Sequence, residues 1–215
     1  MSGSLLHTRF SRTLLKRFTD TAKEYEFFKK DDIVRVNVSF NVYSLLSAAL
    51  LLEYARYGNV PIKVILSADS AEVSDLCARI FKTECNVSGI SDTANITAAF
   101  ECFDDIIEDI LAGVLFNGRS AAILPKERGI VRPLYKIRRH DIEEWKNSAL
   151  PDSILIPPLT PERQCVSEII RRLNAKNPQV CQNIFRSVCT VRLDHIISYI
   201  DFNGDKKILY EYSEK

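Results

Sequence analysis

The stretch VNVSFNVYSLLSAALLLEY, residues 36–54, decides the fold. It reads as the end of an apolar strand, a short break, and a helix that is apolar on almost every face. In nucleotide-binding α/β proteins such a break is glycine-rich, because backbone amides must close around phosphate. Here the break is Ser39-Phe40-Asn41-Val42-Tyr43-Ser44, without a glycine. The strand extends back over IVRVNVS (33–39) from a turn at Asp31-Asp32, and the helix runs over 43–57 until Gly58-Asn59 stops it. VPIKVILSA (60–68) is a second strand, so the unit is βαβ, with parallel strands and a right-handed connection.

Upstream, residues 5–28 carry Leu5, Leu14, Leu15, Phe18, Ala22, Tyr25 and Phe28 at helical spacing, interleaved with basic residues. This predicts a basic amphipathic helix over 1–30. Downstream, residues 69–82 are a helix capped by Asp69 or Ser70, and NITAAF (95–100) is a third strand. DDIIEDILAGVLFNG (104–118) is a helix, GIVRPL (129–134) a fourth short strand, and RRHDIEEWKNS (138–148) a helix with its acids early, as the helix dipole favours. The alternation implies a doubly wound, mostly parallel α/β sheet over 31–150, with a ligand crevice at the carboxyl ends of the strands. PDSILIPPLTP (151–161) is a proline-rich connector, followed by helices over 162–176 and 178–200 and by a terminal turn and short strand. These C-terminal helices, within 151–215, are expected to pack on the α/β domain.

The composition excludes several classes. With 46% hydrophobic and 27% charged residues, and 29 basic against 28 acidic side chains, the 215-residue chain is an ordinary globular one, and its global charge does not point to a polyanion. No apolar run is long enough to span a bilayer, and the N-terminus lacks the pattern of a signal peptide, so the expected setting is cytoplasmic with no membrane contact. Six cysteines are scattered without a C-x-x-C pair, which favours free thiols over a metal site.

Order and spacing resemble one family, the PP-loop tRNA thiolases, over nearly the whole chain. KKDDIVRVNVS resembles the turn and first strand; Ser39 and Ser44 match the two serines of a serine-glycine-glycine-x-aspartate-serine loop that cradles ATP. AAFECFDDIIEDILAGVLFNGR (98–119) is similar to the middle motif, and IVRPLYKIRRHDIEEW with RQCVSEIIRRLNAKNPQVCQNIFRSVCTVRLDHI to the last two. The resemblance implies the fold of the PP-loop ATPases, with a C-terminal helical extension.

The departures are as informative as the matches. Phe40 and Asn41 stand where the two glycines belong, Tyr43 replaces the loop aspartate, and Phe100 and Glu101 replace a glycine and a histidine. Bulky side chains obstruct close amide approach to phosphate, and a carboxylate repels it. Asp104 and Asp105 remain, although aspartates at a helix start also serve as caps. The cysteine expected before "RQ" is missing from IPPLTPE. Residues 39, 40, 41, 43, 44, 104 and 105 are therefore expected to be a vestigial nucleotide site, with no catalytic residue and no bound metal.

Within the family the resemblance is greatest to the non-catalytic subunit of the eukaryotic cytosolic wobble-uridine 2-thiolation complex, notably at LAGVLFNGRSAAILP (111–125). It implies a heterodimer with a catalytic PP-loop subunit, which would hold the ATP and an iron–sulfur cluster, and it implies tRNA as the shared ligand. The expected tRNA contacts are Arg119, Lys126, Arg128, Arg132, Lys136, Arg138 and Arg139, a local basic run near the sheet's carboxyl edge. Two alternatives stay open: an active ATP-dependent tRNA-modifying enzyme using Ser39, Ser44, Asp104 and Asp105 on phosphate or magnesium, and a scaffold unrelated to RNA.

Overall fold

The computed structural model describes residue 6 and residues 8–83, 86–87, 93–120, 122–189, 198–200 and 205–208. Its centre is the predicted βαβ unit. Strand β1 (Asp32–Val38) pairs in parallel with β2 (Ile62–Ala68) along its whole length, from Asp32 opposite Ile62 to Val38 opposite Ala68. Helix α2 (Val42–Tyr57) connects them and buries a continuous run from Val42 to Leu51, which explains why its sequence is apolar all round. Ser70, not Asp69, caps α3 (Ala71–Phe81): its hydroxyl accepts from the Val73 amide.

The six-stranded sheet has the order β3-β2-β1-β4-β6-β5, where β3 is Asn86–Val87, β4 is Ile96–Ala98, β5 is Lys126–Glu127 and β6 is Ile130–Val131. All pairings are parallel except β5 with β6. From β1 the chain moves through α2 to one side; from β4 it moves through α4 (Phe103–Asn117) to the other. Right-handed crossovers in opposite directions put α2 and α4 on opposite faces. On the α2 face, α1 (Arg9–Glu24) and α5 (Arg139–Ala149) complete the cover, with Phe18, Leu46 and Trp145 among the fully buried side chains. On α4 lie α6 (Pro161–Lys176) and α7 (Val180–Cys189), forming a second apolar cluster of Ile106, Ile107, Tyr135, Val166 and Phe185. The C-terminal helices thus pack on α4, the helix that covers this face of the sheet.

Three expectations are corrected. The N-terminal helix is shorter than 5–28, ending at Glu24, where the chain turns so that Phe27 and Phe28 enter the core. The helix expected over 178–200 ends at Cys189, and Ser198–Ile200 instead forms strand β7, antiparallel to β8 (Lys206–Ile208); residues 190–197 lie outside the described residues. The two-residue strands β3 and β5 were not expected. Among the described residues, no helix is long and apolar enough to cross a membrane.

Candidate functional site

Strands β1 and β4 are neighbours, and the connections leaving them diverge. Their carboxyl ends, Val38 and Ala98, therefore flank the crevice at the topological switch point, the position where doubly wound sheets bind ligands. Two loops enter it, 39–41 after β1 and 99–102 after β4. A cleft of about 330 Å³ remains, lined by Asn41, Tyr43, Phe100, Glu101 and Asp105 with the connector residues Pro157 to Thr160 and Arg163.

The first loop is closed on itself. Ser44 Oγ accepts from the Ser39 amide at 3.2 Å and reaches the Asn41 carbonyl at 2.9 Å, so the two expected serines do meet, their hydroxyls 3.5 Å apart. Asn41 caps α2: its Oδ1 accepts from the Tyr43 amide at 2.8 Å. The connector then crosses the loop as a parallel β-bridge at Asn41 and Leu155. Leu155 N donates to the Phe40 carbonyl at 3.1 Å, and Leu155 O accepts from the Val42 amide at 3.1 Å. The amides of Val42 and Tyr43, at the start of α2, are the donors that a phosphate at this helix end would need. Both already have protein acceptors. Phe40 and Phe100 are half-buried against the main core, and Tyr43 is buried beside Cys102, Arg139 and Asp105, where burial lifts its phenol far above the ordinary range.

The second loop is closed by charge. Glu101 pairs with Arg132, whose Nε lies 3.1 Å from Oε2 and whose Nη1 donates to the Leu124 carbonyl at 2.6 Å. Asp105 Oδ2 accepts from the Cys102 amide at 2.9 Å, capping α4, and Asp104 Oδ2 accepts from the Arg139 amide at 2.7 Å, serving the start of α5 across the chain. The Arg139 guanidinium spans Glu108 and Asp105, while Arg163 joins Asp105 at 3.2 Å to Asp109 at 2.7 Å. Burial works against charge on Arg139, but Glu108 and Asp105 outweigh it and hold the guanidinium firmly protonated. Asp105 therefore occupies the helix-cap role weighed for it from sequence, while Asp104 serves the start of α5 and not that of its own helix.

The expected basic run divides. Arg132 is 8% exposed, and Arg139 points inward into the carboxylate cluster, so neither stands on an outward face as expected; Glu101 and the Leu124 carbonyl hold Arg132, and Glu108 with Asp105 hold Arg139. Lys126 donates to the Glu26 carbonyl at 2.6 Å, and Lys136 pairs with Glu24 at 2.5 Å. Arg119, Arg128 and Arg138 are exposed. Sequence reasoning missed Leu155, Glu108, Asp109 and Arg163. For Arg139 there was a signal: positions 139, 142 and 145 share a helix face, and Ile142 and Trp145 are wholly buried.

The residues present do not fit the groups that the fold family implies. For a nucleotide, the amides are taken and ring side chains fill the loops. For an iron–sulfur cluster, Cys77, Cys102 and Cys181 are buried while Cys165 and Cys189 are exposed, and no three His, Cys, Asp or Glu among the described residues converge as metal ligands. Burial, reinforced by Asp105 and Asp104, raises the Cys102 thiol well above its usual range, which opposes the thiolate a metal requires.

No protein-family model matches the chain. In sequence it is similar to the tRNA-cytidine(32) 2-sulfurtransferase 2 of Francisella tularensis subsp. novicida, 25% identical over 115 residues, covering 49% of this chain and 46% of that protein. A second relative, the tRNA-cytidine(32) 2-sulfurtransferase 1 of Francisella philomiragia, is 26% identical over 104 residues, 44% of this chain and 41% of that protein. The chain thus spans less than half the length of the curated relatives it matches. Among solved structures, the U34-tRNA thiolase NcsA from Methanococcus maripaludis, with its 4Fe-4S cluster, superposes with a TM-score of 0.61 at 16% identity, covering 86% of this chain and 80% of that one. The chain has the α/β fold of the PP-loop tRNA thiolases, and about half of it is similar in sequence to tRNA 2-sulfurtransferases.

Proposed function

We propose that this chain is a non-catalytic subunit of a tRNA 2-thiolation complex, binding tRNA and supporting a catalytic PP-loop partner that thiolates the wobble uridine. One observation carries the reading. The connector's Leu155 occupies the backbone of the loop that would otherwise cradle triphosphate, accepting from Val42 and donating to Phe40. Adenylation of a base needs that cradle, because the adenylyl group passes from ATP to the base as pyrophosphate leaves, and preorganised donors must hold the departing pyrophosphate. ATP and the cluster accordingly belong to the partner. The sulfurtransferase relatives support tRNA as the ligand, and a run of exposed apolar residues at the end of α4 (Val114, Leu115 and Phe116, each about half exposed or more) supports a protein partner.

Titration calorimetry of the purified chain with millimolar magnesium-ATP is expected to give no binding heat. Saturable heat, or thiolation of tRNA by this chain alone, overturns the non-catalytic reading in favour of a rebuilt nucleotide site. Affinity purification from the native source is expected to recover a PP-loop protein together with tRNA; recovery of the chain with neither overturns the complex.

A further inference from the structure

A second, larger cleft of about 730 Å³ lies between α1, α7 and the segment that leads into α5. Its volume falls in the range of small-molecule sites, and a nucleotide fits within it. Its chemistry is the reverse of the closed crevice. Among the described residues, Arg17, Lys136, Arg138 and Arg186 line it against two carboxylates, Glu24 and Asp141. Those two are already used, Asp141 by Arg17 at 2.6 Å and Glu24 by Lys136. Arg138 and Arg186 are exposed, and among the described residues no carboxylate pairs with either.

Tyr25, Phe103 and Phe185 add aromatic rings to the wall, beside Gln182 and Cys189. Lys136 Nζ sits 5.1 Å from the Tyr25 ring centroid and the Arg138 guanidinium carbon 5.4 Å from that of Phe103, while Phe103 meets Phe185 at 5.3 Å. A guanidinium laid on a ring offers its other face as a stacking plane, and unpaired bases stack on such planes and on tyrosine rings. Cations without carboxylate partners at the rim attract phosphodiester. An acidic peptide would use the cations but would leave the ring wall without a role, so the combination favours a nucleic acid chain.

We propose that this cleft takes an unpaired nucleotide of single-stranded RNA, with the Arg138 guanidinium against the base and Arg186 on an adjoining phosphate. The inference deepens the tRNA-binding reading and rests on it only for the identity of the RNA. It also moves the RNA-facing charge away from Arg132 and Arg139 to the α1–α7 side.

Fluorescence anisotropy with labelled hexauridine and with unfractionated tRNA tests it, comparing the wild-type chain with Arg138→Glu, Arg186→Glu and, as a control on α6, Arg172→Glu. All three positions are exposed, so the variants should fold. Each cleft variant is expected to weaken both probes about tenfold or more, and the control less than twofold. A local readout accompanies this: hexauridine should slow iodoacetamide modification of Cys189, at the cleft, and leave the exposed Cys165 unaffected. Hexauridine binding that ignores Arg138→Glu and Arg186→Glu overturns the cleft while leaving tRNA binding to stand. Cleft-dependent hexauridine binding without tRNA binding supports the cleft and overturns the tRNA reading. Binding of neither probe overturns both.

Discussion

Arg139 and Glu108 form a two-pronged ion pair between α5 and α4, with Nη1 2.8 Å from Oε1 and Nη2 2.8 Å from Oε2. Glu108 is 2% exposed, so this is a buried charge, and Arg139 donates both hydrogen bonds that it accepts among the described residues. The pair ties together the helices on the two faces of the sheet at the crevice, and Asp105 shares the same guanidinium at 2.8 Å. The acids at the crevice are thus members of one ion network that joins α4 to α5.

Removing Arg139 should therefore be costly. Arg139→Met leaves Glu108 buried without its hydrogen-bond partner, and the expected loss is about 3–5 kcal/mol of unfolding free energy, measured by urea denaturation. Adding Glu108→Leu should recover more than half of the loss, because an apolar pair can replace a buried ion pair. A cost below about 1 kcal/mol for the single variant would contradict the buried geometry.

Legibility differed by element. The β1–α2–β2 unit could be read because Val34, Val36 and Val38 alternate along β1 on one buried face, while α2 between the strands is buried from Val42 to Leu51 and so is apolar all round. Strands of two residues, such as β3 and β5, carry no period and are set by what lies beside them. The absence of glycine was visible at Phe40 and Asn41, but the backbone bridge that closes the loop was not. Leu155 acts through its backbone, its side chain is 64% exposed, and it lies more than a hundred positions downstream, so no local pattern announces it. The direction of Arg139 was encoded in its spacing from Ile142 and Trp145, whereas Arg132 precedes Pro133 in an irregular turn where no periodicity applies.

The loop should not be repairable by glycine alone. Phe40→Gly with Asn41→Gly restores the residue types of a phosphate loop but leaves Val42 N bonded to Leu155 O. The cap loss is a few tenths of a kcal/mol, and the half-buried ring contributes about 1–2 kcal/mol, so the variant should be about 2 kcal/mol less stable. Calorimetry with magnesium-ATP is expected to stay silent. Millimolar or tighter ATP binding by this variant would show that side-chain bulk, and not the connector, closes the site.

The connector's hold is itself testable. Leu155→Ala should change stability by less than about 0.5 kcal/mol, since the side chain is exposed. Leu155→Pro removes the donor to Phe40 O and should cost about 1–3 kcal/mol while speeding proteolysis within 151–160. Equal proteolysis rates for the two variants would mean that the β-bridge does not hold the connector down.

Cys189 reports on the charge balance of the second cleft. Partial burial raises its thiol above the ordinary value, and Lys136 opposes that rise. Only the thiolate reacts with iodoacetamide, so a raised pKa lowers the rate at pH 8 and the rate should climb as pH rises through the raised value. Lys136→Ala removes the opposing cation and leaves Glu24 without its partner, which pushes the thiol further up. The variant's alkylation at Cys189 should be slower than wild type at pH 8, and its rate–pH curve should lie to the alkaline side. High salt should shrink the difference, because screening weakens the Lys136 contribution at this half-exposed site. An unchanged or acid-shifted curve would place Lys136 too far from Cys189 to govern its ionisation and would take from the cleft one of its cations.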